Sequence, residues 1–163
     1  MQTYKRMVAL AGVMLAFAAS SPSFASNDEA LKKSQTLYNN RKYEDAIATL
    51  NKAIEADSKD ERSFFLRAQS KEMLSKYDQA IDDYTQCVQM QPRDLASYMH
   101  MSACWSKLGK NNVAISCLSK ALLLDAKNPS LYKARADLYE KVGQKAQAKN
   151  DRDVAGVLAG AGK

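Results

Sequence analysis

The feature that most constrains this chain is a repeat with a period of 34 residues, which runs without a gap from position 27 towards the C-terminus. When the four units are aligned on this period, three columns contain only small residues. The columns are Ala46, Ala80, Ala114 and Ala148; Ala53, Cys87, Ala121 and Ala155; and Ser34, Ala68, Ser102 and Ala136. A fixed period of this length is typical of stacked repeats, in which each unit contacts only its neighbours.

Large apolar residues fill other columns, such as that of Leu50, Tyr84 and Leu118. Within each unit these columns are three or four residues apart, which places their side chains on one face of an α-helix. One helical hairpin cannot bury such a face, whereas stacked hairpins bury it in a continuous core. Two helices approach closely only where their side chains are small, so we expect the small columns at the helix crossings. The predicted fold class is all-α, a solenoid of about four helix-turn-helix repeats.

One turn-compatible residue separates two helical stretches in each unit. These residues are Arg41, Ser75, Gly109 and Gly143. The two glycines suit the left-handed backbone conformation that commonly ends a helix.

The units resemble the tetratricopeptide repeat family. The second unit matches best, with SFFLRA at 63–68, KYDQAIDDY at 76–84 and then Pro92, and the third adds Trp105 and Leu108-Gly109. The resemblance extends from residue 27 to about residue 158 and implies a right-handed superhelix.

The predicted domain organisation is a signal peptide at 1–25 followed by a repeat domain at 26–163. The repeats span 27–60, 61–94, 95–128 and 129–162, and the last is degenerate. Terminal units of a solenoid meet water on one side, so this drift is expected of a capping unit.

The resemblance also implies where a ligand would bind. In the family, the second, fifth, ninth, twelfth and thirteenth places of each unit face a concave groove formed by the first helices. Apolar and amide side chains at those places suit a bound peptide, because amides pair with peptide backbone and methionines adapt to varied side chains. The candidate peptide-binding residues are Leu31, Gln35, Tyr38, Arg62, Phe65, Gln69, Met73 and Met99. We expect that the packing columns do not require them, Phe65 included.

Composition gives little support to other function classes. The formal charge is +6, but no dense Lys/Arg run or basic stripe with interleaved aromatics is present, which argues against nucleic-acid binding. The sequence contains one histidine and no recognisable phosphate loop or nucleophile motif, so we predict no catalytic residues, no cofactor and no enzyme activity. The adjacent acids Asp82 and Asp83 are expected on a solvated helix surface.

His100 and Cys104 are four residues apart, a spacing that can place two metal ligands on one helix face. Cys87 could come near them, but packing is the preferred interpretation because buried cysteine usually behaves as a small hydrophobe. We therefore predict no metal site. Three cysteines cannot all pair within one chain, and Cys117, which we place on the outer side of its helix, is the expected free thiol.

The first 25 residues have the pattern of an export signal. Lys5 and Arg6 precede a 13-residue apolar run, Met7–Ala19, and Ser23-Phe24-Ala25 places small residues at the two positions that a signal peptidase reads. A buried helix or an uncleaved anchor is the alternative. No later apolar run approaches membrane-spanning length. We expect an exported protein, periplasmic in a bacterium or else secreted.

The predicted function is a protein- or peptide-binding adaptor or scaffold that assists assembly of an envelope or secretion complex. The first alternative is a structural solenoid that self-associates into a homo-oligomer. The second is a Cys/His metal or redox carrier.

Cleavage after Ala25 would leave Ser26 as the mature N-terminus. We expect N-terminal sequencing of protein purified from its native host to begin at Ser26, because the small residues at 23 and 25 fit the peptidase. A sequence beginning at Met1 would contradict the export signal.

Overall fold

The computed structural model describes residues 22–160, and side chains from Asn27 onwards. Within this range the chain forms eight α-helices and no strand. The helices are α1 Pro22–Asn39, α2 Tyr43–Ala56, α3 Glu61–Met73, α4 Tyr77–Met90, α5 Leu95–Lys107, α6 Asn111–Leu124, α7 Pro129–Lys141 and α8 Lys145–Gly160. Consecutive helices pack against each other, and α1 also contacts α3. The all-α repeat solenoid predicted from the sequence is confirmed.

The hairpins α1–α2, α3–α4, α5–α6 and α7–α8 follow the 34-residue period closely. First helices begin at Glu61, Leu95 and Pro129, the repeat starts read from the sequence, and the second helices begin at matching intervals. Helix α1 begins at Pro22, within the predicted signal peptide, of which residues 1–21 lie outside the described residues. None of the helices described is long and apolar enough to cross a membrane.

The small-residue columns lie at the helix contacts. All twelve members are buried, and nine of them have no exposed surface. Ser102 shows how closely the helices approach, because its hydroxyl donates a hydrogen bond of 2.9 Å to the backbone carbonyl of Ala114 on the neighbouring helix. Larger residues such as Tyr84 and Leu118 fill the space between these contacts and form two core clusters.

Each hairpin turn uses one residue in the left-handed region. Its φ is 60° at Arg41, 59° at Ser75, 75° at Gly109 and 78° at Gly143. In each turn the following amide donates to the carbonyl five residues earlier, as in Lys110 N to Trp105 O at 2.9 Å, which completes a Schellman cap. Two hairpins therefore place a non-glycine residue where glycine is favoured.

Arg41→Gly should raise the free energy of unfolding by about 1 kcal/mol, because an L-residue pays roughly that much in the left-handed conformation. Gly109→Ala is the matched control and should lower it by a similar amount. A Cβ at Gly109 would meet no atom within 4 Å, so the control isolates the backbone term. Urea denaturation measures both, and a loss of stability in Arg41→Gly would contradict this account.

Buried ion pairs join the two helices of hairpins two and four. Arg67 contacts both carboxylate oxygens of Asp83, at 2.9 and 2.7 Å, and Lys71 lies 2.7 Å from the same group. Asp83 is only 3% exposed. The prediction that Asp83 lies on a solvated surface is therefore wrong, although Asp82 is exposed as expected. A buried carboxylate is tolerated here because the bidentate guanidinium satisfies it.

The same pair recurs 68 residues later, where Arg135 donates to both oxygens of Asp151, each at 2.8 Å. In hairpin three the equivalent places hold Met101 and Cys117. Cys117 is 7% exposed, so the prediction that it lies on the outer side of its helix is wrong. Cys117 occupies the same repeat position as Asp83 and Asp151, and that position faces the first helix of the hairpin. It is a free thiol, as are Cys87 and Cys104.

Arg135→Met should cost about 3 kcal/mol of stability, because it leaves the buried Asp151 carboxylate without its cation. The double variant Arg135→Met/Asp151→Cys installs the apolar pair of hairpin three and should recover most of that loss. Urea denaturation of the two single variants and the double variant completes a double-mutant cycle. Additive losses would show that the two side chains do not act as a pair.

Candidate functional site

A hollow of about 260 Å³ opens between α5 and α7. Met99 and Ala103 line it from α5, Ala134 and Lys141 line it from α7, and Leu118 of α6 contributes to its apolar part. Lys141 and Ser106 meet at its edge, where the Lys141 ammonium donates to the Ser106 hydroxyl at 3.1 Å. The hollow exists because Ala103 carries only a methyl group, which leaves space beside Met99 and Lys141.

A second hollow, of about 300 Å³, shares Met99 and Ala103 and continues towards α3. Its other lining residues are Glu72 and His100. The two hollows thus form one continuous strip across α3, α5 and α7, the first helices of hairpins two to four. We call this strip the groove.

An aromatic cluster around the buried Tyr84 supports the groove at its α3 end. One carboxylate oxygen of Glu72 accepts from the Tyr84 hydroxyl at 3.0 Å and lies 3.0 Å from His100 Nδ1. The rings of Tyr84 and His100 stack at 5.2 Å, and Phe65 packs edge-on against both at 5.6 Å. Burial, and then the charge of Glu72, raise the pKa of Tyr84 far above its usual value, so the hydroxyl stays a donor. Glu72 and His100 are therefore held in place.

The eight predicted peptide-binding residues differ in their exposure and in their contacts. Met99 lines the groove, is 39% exposed and lies in both hollows, while Met73 on α3 is 52% exposed. Both are large apolar side chains left in solvent. Leu31 and Gln69 are half-buried.

Three of the predicted residues make internal contacts. Gln35 is exposed and donates to Asn39 at 3.1 Å. Arg62 is tied to Asp28 at 2.8 Å and to Asp60 at 2.9 Å. Tyr38 packs edge-on against Tyr43 at 5.5 Å, and burial, the first cause, raises the pKa of its hydroxyl.

Phe65 is half-buried and packs against the core, which corrects the expectation that the packing does not involve it. Its ring packs against the cluster of Ala68, Ala80, Ile81, Tyr84 and Cys104. Phe65 occupies a groove-facing place and is still half-buried, because its ring packs against Tyr84 of α4 and His100 of α5.

Several groove residues were not among the candidates selected from the sequence. Ala103, Ser106, Asp137 and Lys141 occupy groove-facing places of the third and fourth units, but we selected large apolar and amide side chains. Ala103 could have indicated the site from the sequence, because a small residue at a groove-facing place leaves room for a ligand. His100 lies one residue beyond Met99 and is not at a groove place, so the repeat pattern alone could not identify it.

The cysteines and the histidine are engaged in packing. Cys104 has no exposed surface, and burial, with a smaller contribution from Glu72, raises the pKa of its thiol to about 12. Burial likewise raises the pKa of Cys87 to about 12, so both thiols stay protonated at neutral pH. Residues 27–160 contain no cluster of three or more His, Cys, Asp or Glu side chains that could hold a metal ion.

Comparison with known proteins finds a matching family model and similar solved structures. The family model for subunit 3 of the anaphase-promoting complex, or cyclosome, matches residues 3–87, just over half of the 163-residue chain. No curated protein matches the chain.

Among solved structures, the chain is similar to MamA. One MamA crystal structure has a TM-score of 0.79 at 18% identity, covering 83% of this chain and 79% of that one. MamA from residue 41 to its end, from Desulfovibrio magneticus RS-1, has a TM-score of 0.78 at 13% identity, with 83% and 76% covered. A MamA RS-1 ArsTM double mutant has a TM-score of 0.80 at 12% identity, with 88% and 80% covered. At identities this low, the structural similarity shows a shared fold and nothing more specific.

Proposed function

The chain belongs to the tetratricopeptide-type repeat family whose model is named for subunit 3 of the anaphase-promoting complex, and we propose that it is a non-enzymatic scaffold that binds a protein or peptide in its groove. Met73 and Met99 are large apolar side chains exposed on first helices, and Met99 lies at the junction of two hollows. Exposed apolar surface beside a recess is a common mark of a protein-binding site. This combination carries the proposal.

The geometry of the groove suits a side chain inserted from a partner. The hollow of about 260 Å³ has an apolar part built from Leu118, Ala134 and Leu138 and a polar edge at Ser106 and Lys141. An apolar anchor inside such a recess and hydrogen bonds at its rim are the usual division of roles at an interface.

We place this function outside the cytoplasm, in the periplasm of a bacterium or another exported compartment. The support is the charged start, apolar run and small-residue cleavage positions within residues 1–25. In that compartment the scaffold would assist assembly of an envelope or secretion complex.

Self-association is the second candidate function, because two apolar side chains outside the groove are strongly exposed. Leu123 on α6 is 86% exposed, and Val157 on α8 is 72% exposed. Both lie on second helices, away from Met99. Sedimentation at several protein concentrations tests this candidate directly, since an oligomer formed through these residues dissociates on dilution.

A photo-crosslinking amino acid in place of Met99 should capture a partner protein other than a second copy of this chain in the native compartment. The same amino acid in place of Leu123 should capture that partner weakly or not at all. Ala103→Arg fills the hollow and should weaken binding of that protein by about 2 kcal/mol, the size of a hot-spot effect. Because Ala103 is exposed and arginine favours helix, the fold should stay as stable.

The matched control is a crosslinker at the exposed Lys149 of α8. Crosslinks from Leu123 to a second copy of this chain, with none from Met99, would favour self-association. Phe65→Ala is unsuitable as a binding test, because losing its contacts with Tyr84 and His100 would destabilise the fold.

A further inference from the structure

Charge is divided unevenly along the described repeats. Residues 27–94 contain 11 Lys and Arg against 13 Asp and Glu, whereas residues 95–160 contain 10 against 5. The first two hairpins are therefore weakly acidic, and the last two carry a net charge of about +5 from these counts. The hollow between α5 and α7 lies in the basic half.

The acids on the groove side of the first helices are already paired within the molecule. Glu72 is engaged by Tyr84 and His100, at 3.0 Å each. Asp137 and Glu140 both face Arg152, at 3.7 and 2.7 Å. Each acid has thus found a cation or a hydrogen-bond donor within its own chain.

The lysines on the same side are not paired in this way. Lys107, Lys133 and Lys141 occupy groove-facing places, all three are exposed, and no ion pair within residues 27–160 includes them. Lys141 lines the hollow itself and donates only to the neutral Ser106 hydroxyl. Lys107 lies 34 residues before Lys141, at the same place of the preceding repeat, and Lys133 lies two turns before Lys141 on α7.

From this arrangement we propose that the groove of hairpins three and four binds an acidic protein segment, which inserts one apolar side chain into the hollow between α5 and α7 and places its carboxylates near Lys107, Lys133 and Lys141. The inference rests on the proposed function and specifies its partner. Charge complementarity selects the segment, since the groove offers three lysines outside any ion pair of the described residues, while Glu72 accepts from Tyr84 and Asp137 and Glu140 both lie within 4 Å of Arg152. The apolar part of the hollow, formed by Leu118 and Leu138, selects the anchor.

A protein segment fits this surface better than a nucleic acid does. Base stacking needs exposed aromatic rings beside the cations, and the hollow is lined by Met, Ala, Ser, Leu, Asp and Lys side chains. Its volume of about 260 Å³ accommodates an aliphatic side chain. Of the three lysines, Lys141 lines the hollow, and Lys107 and Lys133 are exposed at other groove-facing places.

The test uses the mature chain and three pools of labelled peptides of about 15 residues, each with a central leucine. Flanking positions are drawn from Asp, Glu, Ser and Ala in the acidic pool, from Asn, Gln, Ser and Ala in the amide pool, and from Lys, Arg, Ser and Ala in the basic pool. Fluorescence anisotropy should show the acidic pool binding about tenfold more tightly than the amide pool, since several exposed ion pairs each contribute a small factor. This preference should shrink as salt is added.

Two triple variants locate the effect. Lys107→Gln/Lys133→Gln/Lys141→Gln should remove the tenfold preference. Lys127→Gln/Lys145→Gln/Lys149→Gln removes the same charge from exposed lysines outside the groove-facing places, and it should change the affinity less than twofold. Equal losses in both triples would mean nonspecific attraction and would overturn the proposal, as would tighter binding of an oligothymidine of similar length.

The Ala103→Arg variant separates this inference from the proposed function. If the acidic and amide pools bind the unaltered chain equally well and both are lost in Ala103→Arg, the groove binds peptides but has no acidic preference, and only the inference is wrong. If no pool binds the unaltered chain, the inference is contradicted, while crosslinking from Met99 decides the proposed function independently.

Discussion

Close approach of helices at small side chains is the constraint on which the rest of the structure depends. Every hairpin needs a side chain no larger than cysteine at three places, and all twelve of these residues are buried. The bond from Ser102 to the Ala114 carbonyl shows the consequence, since a short hydroxyl reaches the backbone of the next helix. The same turn recurs after each first helix. Two of the four turns hold Arg41 or Ser75 in the left-handed region and still form the hydrogen bond that closes the Schellman cap.

The ion pairs inside hairpins two and four show how one packing position accepts different chemistry. Asp83 and Asp151 are almost fully buried, and each carboxylate is held by two bonds from one arginine. Hairpin three places Met101 and Cys117 there and keeps the same fold. Because a buried pair recovers little more than its own desolvation cost, an apolar pair of similar volume is an equivalent solution. The repeat therefore requires complementarity between two helices at this place and does not require a particular residue.

The extent to which the sequence could predict this structure follows from that distinction. The period, the small columns and the hairpin starts were all readable, because packing repeats them in every unit. The inward direction of Asp83 and Cys117 was not readable, since aspartate and cysteine in one column suggest no common environment. Phe65 was misjudged for a related reason: its contacts with Tyr84 and His100 come from two neighbouring helices. Met99 was selected because it is a large apolar residue, whereas the hollow that it lines depends on Ala103, whose small side chain gives no hydrophobic signal in the sequence.

The separation of packing from binding explains how the groove can carry its own chemistry. On α5, Ser102 and Cys104 are buried against neighbouring helices, while Ala103 between them is exposed in the groove. A change at position 103 therefore alters the hollow and leaves the helix contacts intact, whereas a change at 102 alters both helices. The groove charges follow the same logic, because Lys107 and Lys141 occupy equivalent places that the core does not use. Leaving cations unpaired there costs the fold little in water. The repeat can therefore carry these lysines without loss of packing, as the proposed binding of an acidic segment requires.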